Sequence, residues 1–143
     1  MRKRLLLFLL TGTLLGCARA LEDTSPSYLG ESAALVGTWK LTEYLADPGN
    51  GSGTFQKAEG RFSETIEFRA DGRFVATTDL ALSQALQFEY YKVLDRQRIE
   101  LVYKVSTNAG PSHIWTYSDL TATTLTLSYG CIEACKGRYV RVN

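Results

Sequence analysis

From Leu35 to the end of the chain, apolar and polar residues alternate with a period of two, and turn-forming residues punctuate the alternation. Half-buried β-strands read this way, because their successive side chains point to opposite faces. The first strand is predicted over Val36–Ala46. A Gly-rich loop follows, Asp47-Pro48-Gly49-Asn50-Gly51-Ser52-Gly53. In the second strand Phe62, Ile66 and Phe68 share one face, and Arg61, Ser63, Thr65, Glu67 and Arg69 share the other. Asp71-Gly72 marks a hairpin turn, since both residues tolerate positive φ, and Arg73–Thr78 returns as a strand. Leu80–Ala85 reads as a helical turn or a strand start. Further strands are predicted over Leu86–Leu94, Arg98–Val105 and Ser112–Leu120, over the alternating Leu125, Leu127 and Tyr129, and over Arg138–Val142. Asp95-Arg96-Gln97, Thr107–Pro111 and Thr121-Ala122-Thr123 supply the turns between them.

This gives eight strands with short connections and no long helical period between them, which argues against parallel βαβ units. Sequential antiparallel strands form a meander, and closing the sheet removes its exposed edges. The expected fold is therefore all-β, an eight-stranded antiparallel up-and-down barrel over residues 35–143. The alternative is a β-sandwich. A barrel of this size is either filled by side chains or holds one small ligand.

Composition fits one domain. The 143 residues are 45% hydrophobic and 22% charged, enough to build a core and exclude wholesale disorder. The net charge of +1 offers no basic excess to track a nucleic-acid backbone. One His and three Cys argue against a His-rich metal centre, so no metal and no cofactor are expected.

The N-terminus reads as an address. Arg2, Lys3 and Arg4 precede an apolar run from Leu5 to Leu15, the layout of a secretory signal peptide over residues 1–16. Leu14-Leu15-Gly16-Cys17 resembles the bacterial lipobox, which implies lipidation of Cys17. The competing reading is cleavage at Ala18-Arg19-Ala20 by ordinary signal peptidase. Removing residues 1–16 takes three of the 16 basic side chains and none of the 15 acidic ones, leaving a formal −2. Contact with the membrane would then rest on the lipid alone. Ala18 after the Cys favours the outer membrane, in the manner of enteric lipoproteins. Residues 17–34 read as a polar tether, with a short amphipathic helix possible over Tyr28–Leu35.

Candidate chemistry is sparse. Cys131 and Cys135 in an exported chain predict a disulfide closing the turn between the last two strands. Asp47–Gly53 has too few oxygen side chains for a calcium loop and reads as a flexible loop at a barrel mouth. Catalysis by His113 would need a Ser or Cys and an orienting carboxylate; no G-x-S-x-G elbow is present, and the residue reads as an exposed or barrel-rim His. Glu64 lies on the apolar parity of its strand, and Glu43 does likewise with Trp39, Leu41 and Leu45; such residues usually end a strand where its face meets solvent. Phe68, Phe74, Phe88, Tyr90, Tyr103, Trp115, Tyr117 and Tyr129 are the candidate ligand-lining aromatics, the plain alternative being that they fill the barrel.

Gly37-Thr38-Trp39 at the head of the first strand resembles the first-strand signature of lipocalins and related calycin barrels. The Gly-rich first loop, Ile66–Phe74 with its Asp71-Gly72 turn, and Cys131-x-x-x-Cys135 before Arg138–Val142 extend the likeness to small lipocalin-like lipoproteins of Bacteroidetes-type bacteria, over about residues 35–142. The resemblance implies that Trp39 closes one barrel end, with Arg138 or Arg141 packed across its ring. It also implies that the barrel binds a small apolar molecule. The expected function is a non-enzymatic, monomeric envelope lipoprotein holding a small apolar or amphipathic molecule in an aromatic-lined cup gated by residues 47–57. The alternative is a filled-core module that binds a protein or glycan partner through its rim and loops.

Overall fold

The computed structural model describes residues 33–79, 84–104 and 113–142. Residues 1–32 lie outside this set. With them lie the signal segment, Cys17 and most of the tether, as do Leu80–Ser83 and the predicted turn at Thr107–Pro111. Residues 33–35, the described part of the possible Tyr28–Leu35 helix, are helical.

The alternating segments form β1 (Gly37–Ala46), β3 (Glu64–Phe68), β4 (Phe74–Thr78), β5 (Phe88–Val93), β6 (Arg98–Tyr103), β7 (His113–Ser118), β8 (Thr124–Ser128) and β9 (Cys135–Val142), with a two-residue strand β2 (Gln56–Lys57) in the first loop. Short 3-10 turns occupy Gly60–Phe62 and Gln84–Gln87. The last strand begins three residues before the predicted Arg138, because Cys135 pairs with Ala46 and Lys136 with Ser128.

The hydrogen-bonded order is β4-β3-β1-β9-β8-β7-β6-β5. All pairings are antiparallel; leaving aside the two-residue β2, they link chain neighbours until β9 closes the meander by running back along β1 from Thr38↔Val142 to Ala46↔Cys135. The remaining seam, between β4 and β5, is held by one bridge, Arg73↔Tyr90, and by the Tyr91 amide donating to the Gly72 carbonyl at 2.8 Å. The result is an antiparallel, nearly closed eight-strand barrel with β2 as a flap paired to β1. The sandwich alternative falls, since one continuous sheet contains every strand.

Trp39 plugs one pole. It is fully buried, and its indole N–H donates to the Leu35 carbonyl at 2.8 Å. The Arg141 guanidinium lies 4.2 Å from the centre of its ring and donates to the carbonyls of Ala34, Val36 and Ala122 at 2.6–2.7 Å. Arg141 shares the inward parity of Tyr139, whereas Arg138 points outward, pairs with Glu43 at 2.9 Å and lies 3.7 Å over the Phe55 ring. Gly37 has φ +144°, and the space where a Cβ would stand is occupied by the Arg141 guanidinium. Glycine is therefore required there on two counts.

Two bulges reset the alternation. In β1, Leu41 faces Tyr139 and Glu43 faces Arg138, so Thr42 is an extra residue. Beyond it Tyr44 and Ala46 turn inward, and Glu43 turns out to its ion pair. The expectation that Glu43 and Leu45 share the face of Trp39 and Leu41 is corrected accordingly. In β5, Glu89 is the extra residue between Phe88 and Tyr90. Tyr90 is thereby 41% exposed on the outer wall, and Tyr91 packs against the core instead.

Candidate functional site

Above the Trp39 plug the barrel is filled by aromatic rings. Phe68 meets Phe74 at 5.2 Å, Phe74 meets Trp115 at 6.0 Å, and Phe88 meets Trp115 at 5.6 Å, mostly in tilted or edge-to-face geometry that suits the ring quadrupoles. From Trp115 the packing runs on to Tyr129. Beyond it, at the opposite pole from Trp39, lies a cavity of about 290 Å³.

The cavity is built from strand ends. Leu41, Tyr44 and Ala46 come from the middle and end of β1 and Glu64 from the start of β3; Tyr129 and Cys131 come from the β8–β9 connection, with Cys131 bonded to Cys135 at the start of β9. Phe62 and the 3-10 residues Gln84 and Ala85 complete the wall, with Trp115 as its floor. Phe62 stacks on Tyr44 with ring centres 4.6 Å apart, which fixes that side of the mouth. The volume is at the lower end of small-molecule sites, which run from about 300 to 1,000 Å³.

The wall is mostly apolar, and two of its polar residues, Glu64 and Tyr129, are joined through Tyr139. Glu64 is 6% exposed and accepts a hydrogen bond from the Tyr139 hydroxyl at 2.6 Å. Tyr139 has only one proton to give. The 2.5 Å contact between the Tyr139 and Tyr129 hydroxyls is therefore donated by Tyr129. The chain runs from Tyr129 in the β8–β9 connection to Tyr139 in β9 and Glu64 in β3. Burial holds both phenols far above the ordinary phenol range. For Tyr129 the negative charge of Glu64 adds to burial; for Tyr139 charge on Tyr129 and on Glu64 adds to it. Gly137 makes room for the group, since a Cβ there would overlap the Tyr129 hydroxyl, the Tyr139 ring and Leu41. Beside it, the Trp115 indole N–H is buried with no hydrogen-bond partner among the described residues. Trp115 and Tyr129 meet edge to face at 4.8 Å.

Of the eight aromatics singled out from sequence, Trp115 and Tyr129 line the cavity. Phe68, Phe74 and Phe88 fill the core beneath it. Tyr117 is buried toward the Trp39 pole, where its hydroxyl donates to the Asp95 carbonyl at 3.1 Å. Tyr103 is half-buried with its hydroxyl 3.4 Å from His113 Nδ1, and the His113 ring lies 5.8 Å from Phe88. Tyr90 faces outward, for the bulge described above. The sequence reading missed Leu41, Tyr44, Ala46, Phe62, Gln84 and Ala85 as wall residues. It saw the inward parity of Glu64 but expected that parity to end in solvent.

The segment expected to act as a gate spans residues 47–57. No residue of this segment lines the cavity. The loop is organised by its own first side chain: Asp47 Oδ1 accepts from the amides of Gly49, Asn50 and Gly51 at 2.7–3.0 Å, and Oδ2 from that of Gly53 at 2.7 Å. These bonds, that of Gly53 foremost, hold the Asp47 carboxyl below its ordinary range. The Asp47 amide donates to the Ala134 carbonyl at 2.9 Å, and β2 pairs with β1, so the segment is pinned beside the mouth. Among the described residues no cluster of His, Cys, Asp and Glu is arranged to hold a metal ion.

Compared with protein-family models, curated proteins and solved structures, the chain has no match in any of the three.

Proposed function

We propose that the protein is a binding protein whose barrel holds one small apolar or amphipathic molecule in the cup above Trp115. The observation that carries this reading is the cup itself. A filled barrel would continue its aromatic packing through the mouth. Here a mostly apolar cavity opens beside the Trp115 and Tyr129 rings.

The reading extends to the envelope. A signal segment and lipobox-like Cys17 support export and lipid anchoring, and a disulfide is at home in an oxidising compartment. The plug formed by Gly37, Trp39 and Arg141 agrees with the resemblance to lipocalins. A second reading, recognition of a macromolecule by the outer surface, is favoured by Ile132, fully exposed within the disulfide loop, and by exposed Val102 and Ile114.

The test is native mass spectrometry of the full chain made in an oxidising compartment. The protein is expected to retain added small molecule, and Ala46→Trp, which fills the cup from its rim, is expected to lose it while remaining folded. Equal retention by both proteins, or no retention by either, contradicts the cup and favours the outer surface.

A further inference from the structure

The Cys131–Cys135 disulfide has two sides. On one, both cysteines form part of the cup's wall. On the other, both border a second cavity of about 220 Å³, lined also by Ile114, Thr116 and Lys136. Ile114 and Thr116 flank the inward-facing Trp115 in β7 and are exposed, so this second cavity is a groove on the outer face of the barrel. The disulfide is thus a partition between the cup and an outer groove. Its two ends are held unequally. Cys135 is half-buried in β9 and paired with Ala46, whereas Cys131 is exposed in the connection before it. Backbone hydrogen bonds close the connection on either side of Cys131, from the Tyr129 amide to the Cys135 carbonyl at 3.2 Å and from the Asp47 amide to the Ala134 carbonyl at 2.9 Å. Among the described residues none reaches residues 130–133. The bond to Cys135 is therefore what holds Cys131 in the wall.

Resting on the binding-cup reading, we infer that this disulfide is a thiol-exchange site coupled to the cup: a dithiol that reduces it from the outer groove loosens the wall and weakens the hold on the occupant, and the occupant in turn protects the disulfide. The exchange moves two electrons. A thiolate of the dithiol attacks the sulfur of Cys131, the more exposed residue, and forms a mixed disulfide; the Cys131–Cys135 bond breaks and Cys135 leaves as a thiolate that takes up a proton. The dithiol's second thiolate then attacks its own first sulfur, closing the reductant into a disulfide and releasing Cys131, which is protonated in turn. Reduction leaves Cys135 in its ladder with β1 and frees residues 130–133, so the cup loses one piece of wall while the strands around it stay paired. An apolar occupant that packs against both cysteines makes those contacts in full only with the oxidised wall. By linkage, the factor by which reduction weakens binding equals the factor by which binding disfavours reduction.

The experiment equilibrates the full chain in dithiothreitol buffers of graded reduced-to-oxidised ratio, with and without decyl alcohol. Alkylation and peptide mass spectrometry read Cys131 and Cys135 separately from Cys17. Saturating decyl alcohol is expected to raise the ratio needed for half reduction about tenfold, which is about 30 mV for a two-electron couple. Titration calorimetry should show the same factor, with decyl alcohol binding the reduced chain about tenfold more weakly than the oxidised one. Cys131→Ser/Cys135→Ser should bind as weakly as the reduced chain whether or not dithiothreitol is present, and Ala46→Trp should show no shift in its reduction midpoint. The Trp39 indole N–H signal should persist on reduction; its loss would make the effect one of global unfolding and overturn the coupling. Slower reduction at an unchanged midpoint would mean that decyl alcohol merely shields the sulfurs, and overturns the coupling as well. Equal affinity of the oxidised and reduced chains overturns it and leaves the cup standing. Binding of decyl alcohol to neither form overturns the cup itself.

Discussion

Tyr139 joins two groups that the sequence keeps far apart. It donates to Glu64, 75 residues away, and accepts from Tyr129, ten residues away, at the one level of the barrel where Gly137 leaves room for all three. Inward parity made Glu64 legible as an oddity, but nothing local reveals its partner, because only closure of β9 onto β1 brings Tyr139 to it. Tyr139→Phe leaves the buried carboxyl one donor short and is expected to cost about 1–3 kcal/mol in urea denaturation. The phenols also set an alkaline limit. Their folded-state pKa values are raised, so their contribution is fully present below the free phenol value near 10 and is lost as pH rises above it. Base denaturation is therefore expected to begin above pH 10, and Tyr139→Phe is expected to flatten the alkaline limb. A limb unchanged by the substitution would assign it to other groups.

Strands were legible as far as the first bulge in each. Period-two reading placed Trp39 and Leu41 correctly and failed at Glu43 because Thr42 is an extra residue; it failed at Tyr90 because of Glu89. A bulge leaves no signal in the alternation of a single strand, since it is defined by the partner strand's register. The plug was legible as a motif, and the choice of Arg141 over Arg138 follows once β9 is seen to carry Gly137, Tyr139 and Arg141 on one side. Arg141→Ala removes three charged-donor bonds and the stacking on Trp39, with an expected loss of about 3 kcal/mol. Arg141→Lys, lacking the planar fork, should recover only part of it. In the first loop, the composition suggested flexibility, whereas four amides converge on Asp47. Because that carboxyl is held below its ordinary range, its contribution is present above about pH 4 and lost as pH falls through the lowered value. Amide exchange at Gly49, Gly51 and Gly53 is expected to accelerate in Asp47→Ala at neutral pH; unchanged exchange would mean that the loop is held by β2 alone.

At the scale of the whole molecule, the barrel has two unlike poles. One is closed by Trp39 and Arg141. The other ends in a cup floored by Trp115 and bounded by the Cys131–Cys135 loop. The fold was legible because alternation, short turns and strand count all favour a closed meander. The cup was not, because whether rings fill a barrel depends on which of them the bulges turn inward. Loss of the disulfide in Cys131→Ser/Cys135→Ser closes a short loop less tightly and is expected to cost about 2 kcal/mol, at the cup's wall rather than at the plug.

The chain has two tryptophans, one at each pole, and this allows a direct test. In a nitrogen–proton NMR spectrum of the full chain, the indole N–H of Trp39, bonded to the Leu35 carbonyl, and that of Trp115, which has no partner, give separate signals. On addition of decyl alcohol the Trp115 signal is expected to shift with saturation while the Trp39 signal stays in place. A spectrum in which neither indole moves, or in which Trp39 moves and Trp115 does not, would contradict a ligand cup at the pole opposite the plug.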